Sequence, residues 1–158
     1  MRKSTIIENL QDMLSQELPK VFIDRDRGQL EMEQPPVGWP CILIDIEEVQ
    51  PRPLTDGNER NKAIVVLKVA NKRTNSSSAH APRVSKEKSM ETLNLSDDIH
   101  GFVQGYAADG EEYSKLQAVS FYKLENLPGI EGYVMRYTTS YSYTKETPTI
   151  QTPQDENT

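Results

Sequence analysis

The sequence predicts an α+β fold of two layers, in which two helices pack on one face of a mostly antiparallel four-stranded sheet. Segments with helical and with alternating periodicity follow one another as helix, two strands, helix and two strands. A short separation within the first strand pair favours antiparallel pairing. Each helix must bury an apolar stripe, and one face of the sheet offers the surface for it. The pattern leaves room for a fifth, short strand.

The first helix is predicted from Thr5 to Leu18. Thr5 and Glu8 have the spacing of a capping box, in which each side chain satisfies a backbone amide at the helix start. Pro19 ends the helix, because the residue before a proline disfavours helical backbone angles. The apolar stripe contains Ile6, Leu10, Met13, Leu14 and Leu18.

The first strand pair follows an irregular stretch that contains the apolar piece Val21 to Ile23 and the Trp39-Pro40 step. Residues 41–49 form a strand whose second face changes from apolar to acidic, so it starts buried and ends in solvent. Residues 61–72 are rich in β-branched side chains and form the next strand.

Residues 72–89 interrupt the strand pattern with a basic segment. Its charges are Lys72, Arg73, Arg83, Lys86 and Lys88 against Glu87, which gives +4 and leaves −10 for the rest of the chain. Structureless loops longer than about 12 residues are either functional or disordered. Two interpretations therefore stay open: a solvated loop, or an arm whose five basic residues contact an acidic partner surface.

A second helix is predicted to begin at Ser96, with Asp97 and Asp98 favourable in its first turn. Residues 115–126 and 132–144 form the last two strands. Residues 1–146 are therefore interpreted as one domain, and residues 147–158, with two prolines and no apolar cluster, as a flexible tail.

The last strand carries tyrosines on one face and hydroxyl side chains on the other. Tyr133, Tyr137 and Tyr141 are expected to cover the helices from the sheet. Strands usually have about 5 or 6 residues, so the outer part around Tyr141 and Tyr143 is expected to project and to need another sheet edge. The candidate oligomer-interface residues are Arg136, Tyr137, Tyr141 and Tyr143.

Composition limits the possible partners and compartments. The net charge of −6 over 158 residues argues against nucleic acid as the main partner. Cys41 is the single cysteine, which excludes an internal disulfide and a cysteine-based zinc site, and its apolar surroundings predict a buried side chain. No apolar run reaches the roughly 18 residues of a membrane helix. We expect a protein of the cytosol, or of a particle assembled there, without a membrane partner.

One constellation has the chemistry of a metal-dependent nuclease. Asp45, Glu47 and Lys68 lie on neighbouring predicted strands, where carboxylates and a lysine can hold a divalent metal and an attacking water. The acidic residue expected two positions before the lysine is replaced by Val66. Solvated strand ends explain the two carboxylates equally.

Other catalytic and cofactor motifs are not found in the sequence. His80 and His100 have no second ligand at metal spacing and are expected to face solvent. Neither a nucleophile elbow nor a phosphate-binding glycine loop occurs. The chain is therefore predicted to be a non-enzyme without cofactor, metal site or catalytic residue.

The order and pattern of residues 5–144 resemble the tail terminator, or tail-completion, proteins of long-tailed bacteriophages and related contractile particles. The matching segments, in order, are TIIENLQDMLSQEL, WPCILIDIEE, AIVVLKVA, a long loop, SDDIHGFVQGY, LQAVSFYKL and YVMRYTTSYSY.

This resemblance implies a homohexameric ring at the head-proximal end of the virion tail, assembled in the host cytoplasm. It implies contacts with the tail tube protein and with head-completion or connector proteins, and DNA only as cargo in the lumen. Two alternatives remain: the nuclease of restriction-type fold described above, and a small adaptor or immunity-type binding domain.

Overall fold

The computed structural model describes residues 1–73, 75–110 and 112–145. The predicted tail, residues 147–158, lies outside the described residues. The helices are α1 (Ser4–Glu17), α2 (Arg83–Ser89) and α3 (Glu91–Val103). The strands are β1 (Phe22–Arg25), β2 (Cys41–Pro53), β3 (Glu59–Lys72), β4 (Gln117–Lys123) and β5 (Ile130–Tyr143).

The described strands form one five-stranded sheet in the order β1-β2-β3-β5-β4. β1 is parallel to β2, and every other neighbouring pair is antiparallel. The predicted α+β class, the antiparallel β2–β3 pair and the room for a fifth short strand are all confirmed, with β1 as the fifth strand.

The main core lies between one face of this sheet and the helices α1 and α3. The α1 stripe contributes Ile6, Leu10 and Leu14, and α3 contributes Ile99 and Val103. Helical spacing brings these side chains to one face of each helix, as the sequence predicts. They pack on a set of alternating strand residues, namely Ile42, Ile44, Val65, Leu67, Met135 and Tyr137.

The opposite face of the sheet is covered at one end by two connecting segments. Leu30 and Trp39 from the β1–β2 connection, together with Leu127, pack against Cys41 and Leu43. Cys41 is fully buried, as predicted, and this burial raises the pKa of its thiol to about 11. The long β1–β2 connection therefore acts as a partial third layer.

The starts of the two predicted helices need correction. Lys3 is the residue before α1, and among the described residues no side chain caps this helix, so Thr5 and Glu8 do not form a capping box. Ser96 lies inside α3, where its hydroxyl donates to the Leu93 carbonyl at 2.6 Å. The chain is already helical before Ser96 because α2 leads into α3 through Met90.

The sequence predicts no helix in the basic segment at residues 72–89, but its last part is the helix α2. α2 has no buried residue, so it lacks the apolar stripe from which a helix is predicted.

From the sequence, the outer part of β5 is expected to project from the sheet. In the structure β5 does not project alone. β3 pairs with it over its whole length, from Glu59 opposite Tyr143 to Lys72 opposite Ile130. β2 accompanies them as far as Pro53, opposite Glu59. The three long strands therefore extend together.

Candidate functional site at the sheet edges

The tyrosines of β5 lie mostly in the core. Tyr137 is 0% and Tyr141 3% exposed, whereas Tyr143 is 44% exposed. Burial raises the pKa of the Tyr137 phenol above its ordinary value. Of the predicted interface tyrosines, only Tyr143 therefore presents its ring at the surface of the chain.

His100 is the hydrogen-bond partner of the buried Tyr137 hydroxyl. Its Nδ1 lies 2.8 Å from the Tyr137 oxygen, and the Phe121 ring packs edge-on against the imidazole. The expectation of a solvent-facing His100 is corrected by this half-buried position, while His80 is exposed as expected. The polar tip of Tyr137 thus has a partner inside the fold.

Arg136, the fourth predicted interface residue, lies on the face of the sheet opposite the helices. Its Nε donates to a Glu47 carboxylate oxygen at 3.0 Å, and its Nη1 donates to the Ser120 hydroxyl at 3.4 Å. This side chain therefore ties β5 to both β2 and β4.

The outer edge of β5 beyond β4 is closed by a neighbouring segment. The Ser114 amide donates to the Ser140 carbonyl, and the Ser140 amide donates to the Ser114 hydroxyl, both at 2.8 Å. Tyr113 also forms a bridge with Tyr141. Ser140 and Tyr141 of β5 thus have their edge partners within the chain.

β4, in contrast, is an open edge of the sheet within the described part of the chain. The Leu124 amide donates to the Gly132 carbonyl on β5 at 3.0 Å. Because inward and outward pairs alternate along an antiparallel ladder, the amides of Phe121 and Lys123 point away from β5. At the start of the strand, the Gln104 side chain already accepts from the Ala118 amide at 2.9 Å. The open edge therefore covers residues 119–123.

The side chains of this open edge are apolar and exposed. Val119, Phe121 and Tyr122 are each about half exposed, at 50%, 48% and 51%. β4 contains no proline, and its one charge, Lys123, stands at its end, although a register shift falls between Ala118 and Ser120. Natural edge strands commonly carry charges, prolines or bulges that discourage pairing.

The outer half of β2 shows these protective features. A register shift falls between Ile46 and Glu48, and Pro51 and Pro53 follow in the same strand. The Leu54 amide donates to the Asn58 carbonyl at 2.7 Å, so the alternation places both proline nitrogens on the outer side. Neither proline offers an amide donor to a strand pairing there.

The three residues of the nuclease hypothesis each have a different ionic partner. Asp45 lies 3.8 Å from Arg25, Glu47 lies 3.0 Å from Arg136, and Lys68 lies 2.9 Å from Asp26. Among the described residues, no group of three or more His, Cys, Asp and Glu side chains has the geometry to hold a metal ion. The structure does not bring the three residues together as one ion-paired cluster.

The five basic residues of the 72–89 segment lie in two places. Lys72 ends β3 with its Nζ 5.8 Å from the Trp39 ring centroid, and the following Arg73 donates its amide to Gly129. The other three lie on α2: Arg83, Lys86 and Lys88. Arg83 is paired with Glu87 at 2.9 Å, one turn further along the helix.

No protein-family model matches this chain, and no curated protein matches its sequence. Within the described residues, none of the helices has the length and apolar character needed to cross a bilayer.

The sequence of β4 contains an apolar pattern, although its periodicity does not show that the strand lies at an edge. In QAVSFYK, apolar side chains fall on both faces of the strand, and no charge occurs before Lys123. Such a pattern is typical of a strand covered on both faces, yet β4 is the last strand of the sheet.

Proposed function

We propose that this protein is a structural protein that caps the end of a phage tail tube as a homo-oligomeric ring. In this role it stops tube polymerisation and forms the surface that joins head to tail. The observation that carries the proposal is the open edge of β4, where the outward amides have no partner among the described residues and the apolar side chains are half exposed. The order of the sequence elements, similar to that of tail terminators, supports the same role.

The open edge supplies what a ring needs. One contact between unlike surfaces, repeated until it closes, generates a ring of identical subunits. A strand edge gives such a contact direction through backbone hydrogen bonds, and alternate side chains give it specificity. We assign the β4 edge, residues 119–123, to the contact with a second copy of this chain.

Capping then follows from competition for one interface. A tail tube grows because each ring, once bound, exposes a new copy of the surface to which it has itself bound. A terminator ring that binds the last tube ring without presenting that surface ends the growth. The chain therefore acts by binding alone and needs no chemical step.

The ring contact is tested by the mass of the purified protein and by one variant of β4. Lys123→Pro removes an outward amide without touching an amide bonded to β5, since a proline has no N–H group. The matched control Lys123→Ala keeps that amide. We expect light scattering to give a multiple of the 18.0 kDa chain mass for the unmodified protein and the control, and a single chain for Lys123→Pro.

Circular dichroism should be the same for all three proteins, because position 123 is exposed and its amide does not bond to β5. An unmodified protein that stays at the mass of one chain at every concentration would overturn the proposal. A one-to-one complex with an unlike protein through this edge would favour the adaptor hypothesis in its place.

Capping itself is tested with the tail tube protein encoded in the same genome. Tubes grown with the unmodified protein should be shorter by electron microscopy than tubes grown without it. Tubes of unchanged length would contradict the assigned role even if the ring forms.

A further inference from the structure

A groove lies at the end of the sheet where the β1–β2 and β4–β5 connections meet. Its volume is about 810 Å³, within the range of about 300 to 1,000 Å³ that is usual for binding sites. One wall is formed by residues 30–35 with Trp39, and the other by residues 126–130. Lys72 closes one side.

The lining of this groove suits a ligand with both cationic and apolar side chains. Glu31 and Glu33 are exposed carboxylates, and Met32 between them is an exposed apolar side chain. The Trp39 ring already has the Lys72 ammonium over its face. Cations are attracted to such a face by the ring quadrupole, and Lys72 already occupies this one. The attraction of a further cationic ligand therefore depends on the carboxylates of Glu31 and Glu33.

The chain itself has an exposed segment of the matching chemistry. α2 carries Arg83, Lys86 and Lys88, and its apolar Val84 is 63% exposed. A helix of seven residues is about 10 Å long. Within its own chain α2 leads into α3 through Met90 and buries none of its residues.

We propose that the groove of one subunit binds α2 of a second copy of this chain. The inference rests on the homo-oligomer of the proposed function and names a second contact between its subunits. Glu31 and Glu33 face the basic residues of α2, and Val84 enters between Met32 and Trp39. The basic segment thereby becomes an arm that docks on an acidic neighbour.

Trp39 makes this contact directly measurable, because it is the single tryptophan of the chain and lies in the groove. A synthetic peptide of residues 79–92 contains no tryptophan, tyrosine or phenylalanine. Titrating this peptide into the Lys123→Pro variant, which we expect to be a single chain with a free groove, should change the Trp39 fluorescence in a saturable manner, with weaker binding at high salt.

Matched peptides and chains separate specific docking from charge attraction. We expect a peptide with Lys86→Glu and Lys88→Glu to bind at least about tenfold more weakly, because like charges then face each other. The chain with Glu31→Lys and Glu33→Lys should regain binding of this reversed peptide. The chain with Asp12→Lys and Glu17→Lys, on exposed α1 positions, should behave as the unmodified one does.

Two results would overturn the inference: no fluorescence change with the unmodified peptide, or equal binding of a scrambled peptide of the same charge. Peptide binding does not require the chain to be oligomeric. An unmodified chain that is monomeric and binds the peptide would therefore contradict the ring and retain the groove. A ring-forming chain whose Lys123→Pro variant does not bind the peptide would do the reverse.

Discussion

Gly132 is a residue at which the sheet accepts no side chain. It lies on β5 opposite Ala70 of β3. A Cβ at this position would overlap the Val69 carbonyl oxygen and would stand 2.7 Å from the Leu124 Cδ1 and 3.0 Å from the Ala70 Cα. Two of these three atoms belong to the backbone, so the overlap cannot be relieved by a change of rotamer.

We predict that Gly132→Ala lowers the free energy of unfolding by about 2 kcal/mol or more, since overpacking of a buried site usually costs about 1 to 3 kcal/mol. Gly101→Ala is the matched control, because a Cβ there meets nothing within 4 Å and the residue lies inside α3. It should raise the free energy of unfolding by about 0.5 to 1 kcal/mol. Urea denaturation measures both, and an unchanged midpoint for Gly132→Ala would contradict the prediction.

Single residues also show where sequence reasoning ends. The burial of Cys41 could be predicted because its neighbours along the strand are apolar. The contact of His100 with Tyr137 could not, because the two side chains meet only when α3 lies across β5, 37 residues further on. Spacing along the chain carries no information about such a pair.

At the scale of elements, those with one apolar stripe or a regular alternation were predictable from the sequence. α1 and the strands β2, β3 and β5 bury the stripe that their sequence displays. α2 was missed because its side chains are polar or exposed all round. The start of α3 was misplaced because a serine followed by two aspartates is also compatible with a helix interior.

The free edge of the sheet was predicted at the wrong strand for a related reason. The length of β5 suggested a free outer half near Tyr141, but residues 113–114 fold back and close it. Which strand becomes the last of a sheet depends on strand order, and local sequence patterns do not determine strand order. The open edge therefore fell to β4.

The two prolines of β2 give a test of edge protection. Replacing Pro51 and Pro53 together by valine should restore outward amides on the outer half of β2 and raise the β-propensity there. We predict concentration-dependent aggregation, measured by light scattering at constant temperature. Placing the same two substitutions on the background of Lys123→Pro tests whether the new association is independent of β4. Loss of the aggregation there would assign it to β4 instead.

At the scale of the whole molecule, the buried Cys41 thiol and Tyr137 phenol make the free energy of unfolding depend on pH in the alkaline range. Burial raises the pKa of Cys41 from 9.0 to about 11 and raises that of Tyr137 above 10.0. The folded state thus holds both protons more tightly than the unfolded state. The resulting stability is complete below the ordinary pKa of each group and is lost as the pH rises through the raised one.

We predict that the free energy of unfolding falls from about pH 9 upward, by at most about 1.4 kcal/mol per pH unit for each group. Cys41→Ala should remove the first part of this fall, between the ordinary pKa of 9.0 and the raised pKa of about 11. Tyr137→Phe should reduce the part above pH 10.0. Identical profiles for all three proteins, from urea denaturation at each pH, would refute the assignment.

The shielding of the single thiol also has a practical consequence for spectroscopy. Cys41 is fully buried beneath Trp39 and Leu30, so a maleimide dye should leave it untouched in the native protein. A cysteine introduced at exposed Tyr143 would then take the label alone. Energy transfer between dyes on different copies would give the diameter of the proposed ring, and photobleaching steps would count its subunits.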